Sequence, residues 1–147
     1  MSGVKLTDIV EKMNLKNLTP EVDITEREVL VPDVNRPALQ LAGFFDHFDL
    51  NRVQIIGNVE CAYLETLAEE KRVEIYQKLL EHKVPCIIFS NELQPDESFI
   101  EIAQKNDIPV FGTCKKTSSF MGELIRWLNV KLAPCISIHG VLVDVYG

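Results

Sequence analysis

The chain has few glycines, and they are scattered. Gly3, Gly43, Gly57, Gly112, Gly122, Gly140 and Gly147 never assemble into G-x-G-x-x-G or G-x-x-x-x-G-K-[ST]. The backbone N–H cradle by which nucleotide-dependent enzymes grip phosphates is therefore not encoded in these 147 residues. Cysteines are equally dispersed: Cys61, Cys86, Cys114 and Cys135 form no C-x-x-C pair, which removes the local geometry of a zinc knuckle or thioredoxin-like redox site. Small buried thiols in a reducing compartment are the expectation. His47, His82 and His139 have no His or Cys neighbour at metal-ligand spacing. No cofactor-binding or metal-ligating set is expected within the chain.

Long apolar runs are missing too. Cys86–Phe89 and Val141–Val143 fall far short of the roughly 20 residues of a membrane span. The first residues, with Lys5, Asp8, Glu11 and Lys12, lack the uninterrupted apolar stretch of a signal peptide. A soluble, cytoplasmic protein is expected. Basic charge is also short, with 15 Lys and Arg against 22 Asp and Glu for a net −7, and Lys115-Lys116 is the densest basic pair. A phosphate backbone is held by clustered Lys and Arg, so neither nucleic acid nor a membrane is an expected partner. At 46% hydrophobic and 25% charged, the composition is that of one globular domain.

What is present is alternation. Leu6, Ile9, Val10 and Met13 mark a short amphipathic helix over 6–13. Residues 16–28 read as a polar loop, and Val29-Leu30-Val31 as a β-rich run stopped by Pro32. Pro37 is placed to start a helix and Gly43 to end it. Strands are expected at 53–57, 86–90 and 110–113, with helices at 60–67, 69–80, 96–106 and 117–131. The almost wholly apolar strand at 86–90 suits a parallel sheet covered on both faces. The fold class is α/β, a three-layer, mainly parallel sheet flanked by helices.

After residue 133 the texture changes. Cys135–Val145 is β-rich, broken by Gly140, and the sequence stops at Tyr146-Gly147. A terminal strand would leave an unpaired edge, so the expectation is a domain over 1–133 and a strand at 134–147 leading onward into a longer parent. His139 stands inside this run beside Gly140, with Asp144 five residues on. From the residues alone it reads as a half-buried strand histidine. His47 reads as part of a surface bend and His82 as a cation at a helix end. Asp33-Val34-Asn35-Arg36-Pro37 is either an anion-reading loop or, more simply, a turn held by Asp33 and Asn35. Glu69-Glu70-Lys71-Arg72 and Glu81-His82-Lys83 read as solvated helix faces.

Two stretches together resemble the N-terminal domain of bacterial HPr kinase/phosphorylase. They are Asp33–Phe45 (DVNRPALQLAGFF), followed by Arg52–Gly57, and the terminal His139–Gly147 (HGVLVDVYG) after Lys131–Pro134. Ala38 departs from that family's usual glycine, and Pro134–Ile138 from its threonine-rich approach to the histidine. The resemblance implies a fold similar to the N-terminal domains of Mur ligases, an analogy without functional weight. It implies a parent enzyme that uses ATP and Mg to phosphorylate a seryl residue of the phosphocarrier HPr. The parent reverses this by phosphorolysis, controls carbon catabolite repression and assembles as a homohexamer. His139 would be catalytic, lying near the aspartate that deprotonates the serine. The P-loop, and with it ATP and Mg, would belong to a C-terminal kinase domain beyond Gly147, so the fragment itself is expected to be inactive. The alternative is a stand-alone regulatory module that takes a small anion at the sheet edge near Gly57, Ser90 and Thr113.

Overall fold

A computed structural model describes residues 3–133 of the chain. The predicted strand Cys135–Val145 and His139 lie outside the described residues.

Among the described residues there are seven strands and six helices: β1 (Val4–Lys5), α1 (Leu6–Met13), β2 (Lys16–Asn17), β3 (Glu28–Val29), β4 (Val34–Asn35) and α2 (Ala38–Leu41) come first. They are followed by β5 (Val53–Ile56), α3 (Asn58–Glu65), α4 (Glu69–Leu80), β6 (Ile87–Phe89), α5 (Glu97–Lys105), β7 (Val110–Gly112) and α6 (Thr117–Leu132). The main sheet has the order β2-β7-β6-β5-β4. Strands β4 to β7 are parallel, and β2 runs antiparallel along the β7 edge. β1 and β3 form a separate antiparallel pair.

Because β4, β5, β6 and β7 are laid down side by side, every crossover steps in the same direction. Right-handed crossovers then place all intervening helices on one face. The core shows it: Leu41 of α2, Leu64 of α3, Leu79 of α4 and Phe99 of α5 pack on Ile56, Ile87, Phe89 and Val110. Alternate strand residues (Val53, Ile55, Ile88, Phe111) point to the other face, where α1 brings Leu6, Ile9 and Met13 and α6 brings Phe120, Leu124 and Leu128. The architecture is the expected three-layer α/β fold. Each fully buried Leu, Ile or Phe contributes roughly 1.5–3 kcal/mol relative to exposure.

The structure departs from the sequence reading where an element is defined by its partner. Lys16-Asn17 lie inside the expected loop, yet they pair with Gly112 and Phe111. Buried Thr19 continues that junction, its Oγ1 accepting the Val110 N–H at 2.9 Å. Val34-Asn35 are strand, not turn, and Asn35 Nδ2 donates across to Gln54 Oε1 at 2.7 Å. After α2, Gly43 takes φ +102°. The Phe44 N–H then donates to Leu39 O and the Gly43 N–H to Gln40 O, closing a Schellman motif with glycine in the left-handed position.

Candidate functional site

The parallel strands deliver four successive residues to the carboxyl edge of the sheet: Arg36 after β4, Gly57 after β5, Ser90 after β6 and Thr113 after β7. This is the edge at which open α/β sheets bind ligands. Here the polar groups are already joined to one another. Glu60, in the first turn of α3, is only 2% exposed. Its Oε1 accepts from Arg36 Nη2 at 2.7 Å, from Arg36 Nε at 3.3 Å and from the Gly57 N–H at 2.8 Å. Three donors converge on one oxygen.

Local chemistry explains the convergence. Gly57 is the N-cap of α3, so its N–H is adjacent to the donors that a helix start leaves unpaired. A glutamate three positions on reaches back to that N–H, the acceptor half of a capping box, and its charge lies at the positive end of the helix dipole. The guanidinium from the neighbouring β4–α2 loop completes the pair. Gly57 is also sterically required. An added Cβ would lie 2.7 Å from Thr117 Oγ1 and 2.9 Å from Arg36 Nη2.

Thr117 comes from the opposite layer, at the start of α6. Its Oγ1 lies 2.6 Å from Ser90 Oγ, which also donates to Ile56 O at 3.2 Å. Beyond Ser90, Asn91 and Glu92 adopt left-handed backbone with φ of 62° and 58°. Such residues cost about 1 kcal/mol or more each, and two hydrogen bonds hold them, from Asn91 N–H to Lys115 O and from Glu92 N–H to Thr113 O. Gly57→Ala is expected to destabilise the protein by about 2 kcal/mol through overpacking. In the Gly57→Ala/Thr117→Ala double variant the loss should fall well below the sum of the singles. Strictly additive denaturation midpoints would show that the clash is relieved elsewhere.

The anion expected under the alternative reading is thus supplied internally. Gly57 N–H is taken by Glu60, Ser90 Oγ is bonded to Ile56 O and Thr117, and Thr113 Oγ1 accepts the Lys115 N–H at 3.3 Å. Arg36 is neither an open anion reader nor part of a local turn, since its guanidinium is committed to Glu60. Sequence reading missed Glu60 because it placed the helix start two residues late. The available signal was the Gly57-x-x-Glu60 spacing.

Of the other candidates, His47 sits exposed in a turn with φ 64°. His82 stacks on Phe45, ring centroids 4.6 Å apart, and its Nδ1 lies 3.0 Å from Lys78 O. Both are accounted for structurally. Arg72 is not on a solvated face as expected: Nη1 donates to Leu67 O at 2.8 Å, and Nε lies 3.3 Å from Asp96 Oδ2. The three described cysteines are free thiols, and they differ in burial. Burial pushes Cys86 up to about 12; burial, with the Glu60, Glu65 and Asp96 carboxylates, pushes half-buried Cys61 up to about 11. Cys114 is exposed, against the expectation of buried thiols. Iodoacetamide at pH 8 with peptide mapping should therefore modify Cys114 first and Cys86 only after denaturation. Modification of native Cys86 at the rate of Cys114 would contradict the packing of β6.

Among the described residues no helix is long and apolar enough to cross a membrane, and no group of three His, Cys, Asp or Glu is placed to hold a metal ion. Comparison with known proteins adds what the geometry cannot. The chain is 57% identical over 147 residues to HPr kinase/phosphorylase of Lachnoclostridium phytofermentans, covering all of this chain and 48% of that protein. It is 42% identical to the Caldicellulosiruptor bescii protein of the same name, covering 95% of this chain and 45% of the relative, and 34% identical to that of Bacillus subtilis, covering 100% and 47%. The chain thus spans about half the length of the curated relatives it matches. A crystal structure of the CBS and DRTGG domains of the regulatory region of Clostridium perfringens pyrophosphatase, complexed with its activator diadenosine tetraphosphate, matches with a TM-score of 0.60. At 22% identity, covering 85% of this chain and 47% of that one, that likeness is one of fold. Residues 4–128 match the family described as HPr Serine kinase N terminus, and the chain belongs to that family.

Proposed function

We propose that this chain is the N-terminal domain of a bifunctional HPr kinase/phosphorylase. The parent would phosphorylate a seryl residue of HPr with ATP and Mg, and remove the phosphate by phosphorolysis, in control of carbon catabolite repression. The observation that carries this reading is identity across the full 147 residues to proteins of that name, twice as long as this chain. The described residues do not fit ATP or Mg themselves. The sequence has no phosphate loop, and no described cluster of carboxylates, thiols or imidazoles is set for a metal. In this reading both would belong to a C-terminal kinase domain, which the segment 134–147 would enter, and no step of the chemistry is routed through residues 3–133.

Within that reading the parent is a cytoplasmic homohexamer, and its partners are HPr and its own kinase half. His139 is the catalytic residue this chain would contribute, placed near the aspartate that takes the serine proton. The closed polar network at the sheet edge supports a non-catalytic part for residues 3–133, since the Gly57 N–H, the Ser90 hydroxyl and the Thr113 N–H are already paired. Two measurements test the reading. The 147-residue chain should not transfer phosphate from ATP to HPr, whereas the full-length protein should; activity in the short chain would overturn the assignment. His139→Ala in the full-length enzyme should lower kcat about 10²-fold and alter its pH profile, as expected for loss of a group that handles a proton. Unchanged kcat would remove His139 from the active site.

A further inference from the structure

The carboxyl end of α6 opens onto a groove of about 740 Å³ that shares no residue with the Arg36–Glu60 network. It lies between α1, the β1–β3 pair and the last turns of α6. Trp127, the single tryptophan of the chain, lines it together with Val4. The indole packs against the core beneath α1 and α6 but stays partly exposed, with Lys131 Nζ 5.7 Å from its ring centroid. A large flat side chain, apolar in body and polar at one edge, is the residue type that most often anchors a protein contact.

Around the indole stand three cations, Lys5, Lys12 and Lys131, and three anions, Asp8, Glu11 and Glu28. None of the six forms a salt bridge among the described residues. An apolar centre inside a polar rim of both signs is the anatomy of a protein–protein interface. Nucleic acid or an anionic membrane would call for basic charge alone. A small ligand would call for a mostly apolar pocket with a few placed polar groups, not for six charges.

The position of the groove selects the occupant. α6 ends at Leu132, and the Ala133 N–H closes it on Asn129 O. Pro134 follows in sequence and has no N–H with which to continue the helix. Polypeptide leaving α6 therefore departs beside Lys131, at the rim of the groove. This chain spans about half of the relatives it matches, so in a parent of that length as much protein again follows. A folded half tethered at the rim faces the groove at an effective concentration of roughly millimolar order, and weak contacts then suffice to seat it. We propose that this groove is the seat of the parent's downstream half, with Trp127 as its anchor and the six charges as the rim that orients it. The inference rests on the reading that a second half follows this domain, and not on what that half catalyses.

Hydrogen exchange read by mass spectrometry compares the 147-residue chain with the full-length protein. Amides over 4–13 and 125–132 should exchange about 10-fold or more slowly in the full-length protein, while those of α3 keep their rate. Equal rates in the two proteins over 4–13 and 125–132, or equal slowing across the whole domain, would overturn the proposal. A photo-crosslinker at Lys12, which is exposed and outside the core, gives a second readout. Full-length Lys12→p-benzoylphenylalanine should crosslink to residues beyond 147 of its own chain. Lys105→p-benzoylphenylalanine, on α5 across the sheet, should not. Crosslinks from position 12 to a second copy, none from position 12, or equal yield from position 105 would each overturn the proposal. A full-length protein inactive on HPr but protected at the groove would sink the kinase reading alone. An active one with the groove unprotected would sink this inference alone.

Discussion

Phe99→Ala is expected to lower the unfolding free energy by about 4 kcal/mol, near the middle of the range for deleting a fully buried phenyl ring. Phe99 is 1% exposed and ties three elements together: its own helix α5, Tyr76 of α4 and Phe89 at the end of the central strand. Removing the ring forfeits the transfer energy and both edge-to-face contacts, each worth about 0.5–1.5 kcal/mol. It also enlarges a cavity of about 140 Å³ that already lies beside the ring. Phe99→Leu, which keeps most of the volume, should cost about 1.5 kcal/mol or less. Urea denaturation of both variants checks the pair. A Phe99→Ala loss as small as that of the leucine variant would mean that α4 and α5 close over the gap, and that the cluster of Tyr76, Phe89 and Phe99 is not rigid.

Glu60→Ala is the second large effect, about 3 kcal/mol. Deleting one member of a buried ion pair typically costs about 3–5 kcal/mol because its partner is left charged and dry. Arg36 is 32% exposed, so water recovers part of that, and the lower end applies. The substitution also removes the acceptor of the Gly57 N–H. Glu60→Gln retains an acceptor for that N–H and for the guanidinium, and should lose roughly half as much. The Arg36→Ala/Glu60→Ala double variant should be less destabilised than the two single losses summed, by about 1 kcal/mol or more. If Glu60→Ala costs less than about 1 kcal/mol, Arg36 escapes to solvent at little expense and the network is decorative.

Much of this architecture could be read from the sequence because the long elements carry their own pattern. α1 spans the predicted 6–13 and α4 the predicted 69–80, while α6 extends the predicted 117–131 by one residue. In each case the apolar stripe of one helix face is local information. Strands β5, β6 and β7 lie within the predicted runs because strands buried on both faces are nearly all apolar, buried Gln54 being the exception in β5. The misses share one cause. Lys16-Asn17 and Val34-Asn35 are strands only through the neighbours they pair with, and no two-residue window encodes partners as far along the chain as Gly112 and Phe111, or Val53 and Gln54. The same holds for the candidate site. Arg36 drew notice within the Asp33–Pro37 cluster, but its meaning depends on Glu60, 24 residues later, and on Gly57 and Thr117 at the starts of α3 and α6. Arg72 looked solvated because its immediate neighbours are charged, whereas Asp96 and Leu67 enclose it.

Glu60 means that this fold carries its counter-ion as a permanent part of the polypeptide. A sheet edge that borrows its negative charge from solution changes shape as that solute rises and falls. Here the Glu60 carboxylate holds that place itself, bonded to Arg36 and to the Gly57 N–H. In the Glu60→Ala protein the melting temperature would begin to follow added acetate or phosphate, turning a constitutive clasp into a sensor through a single codon.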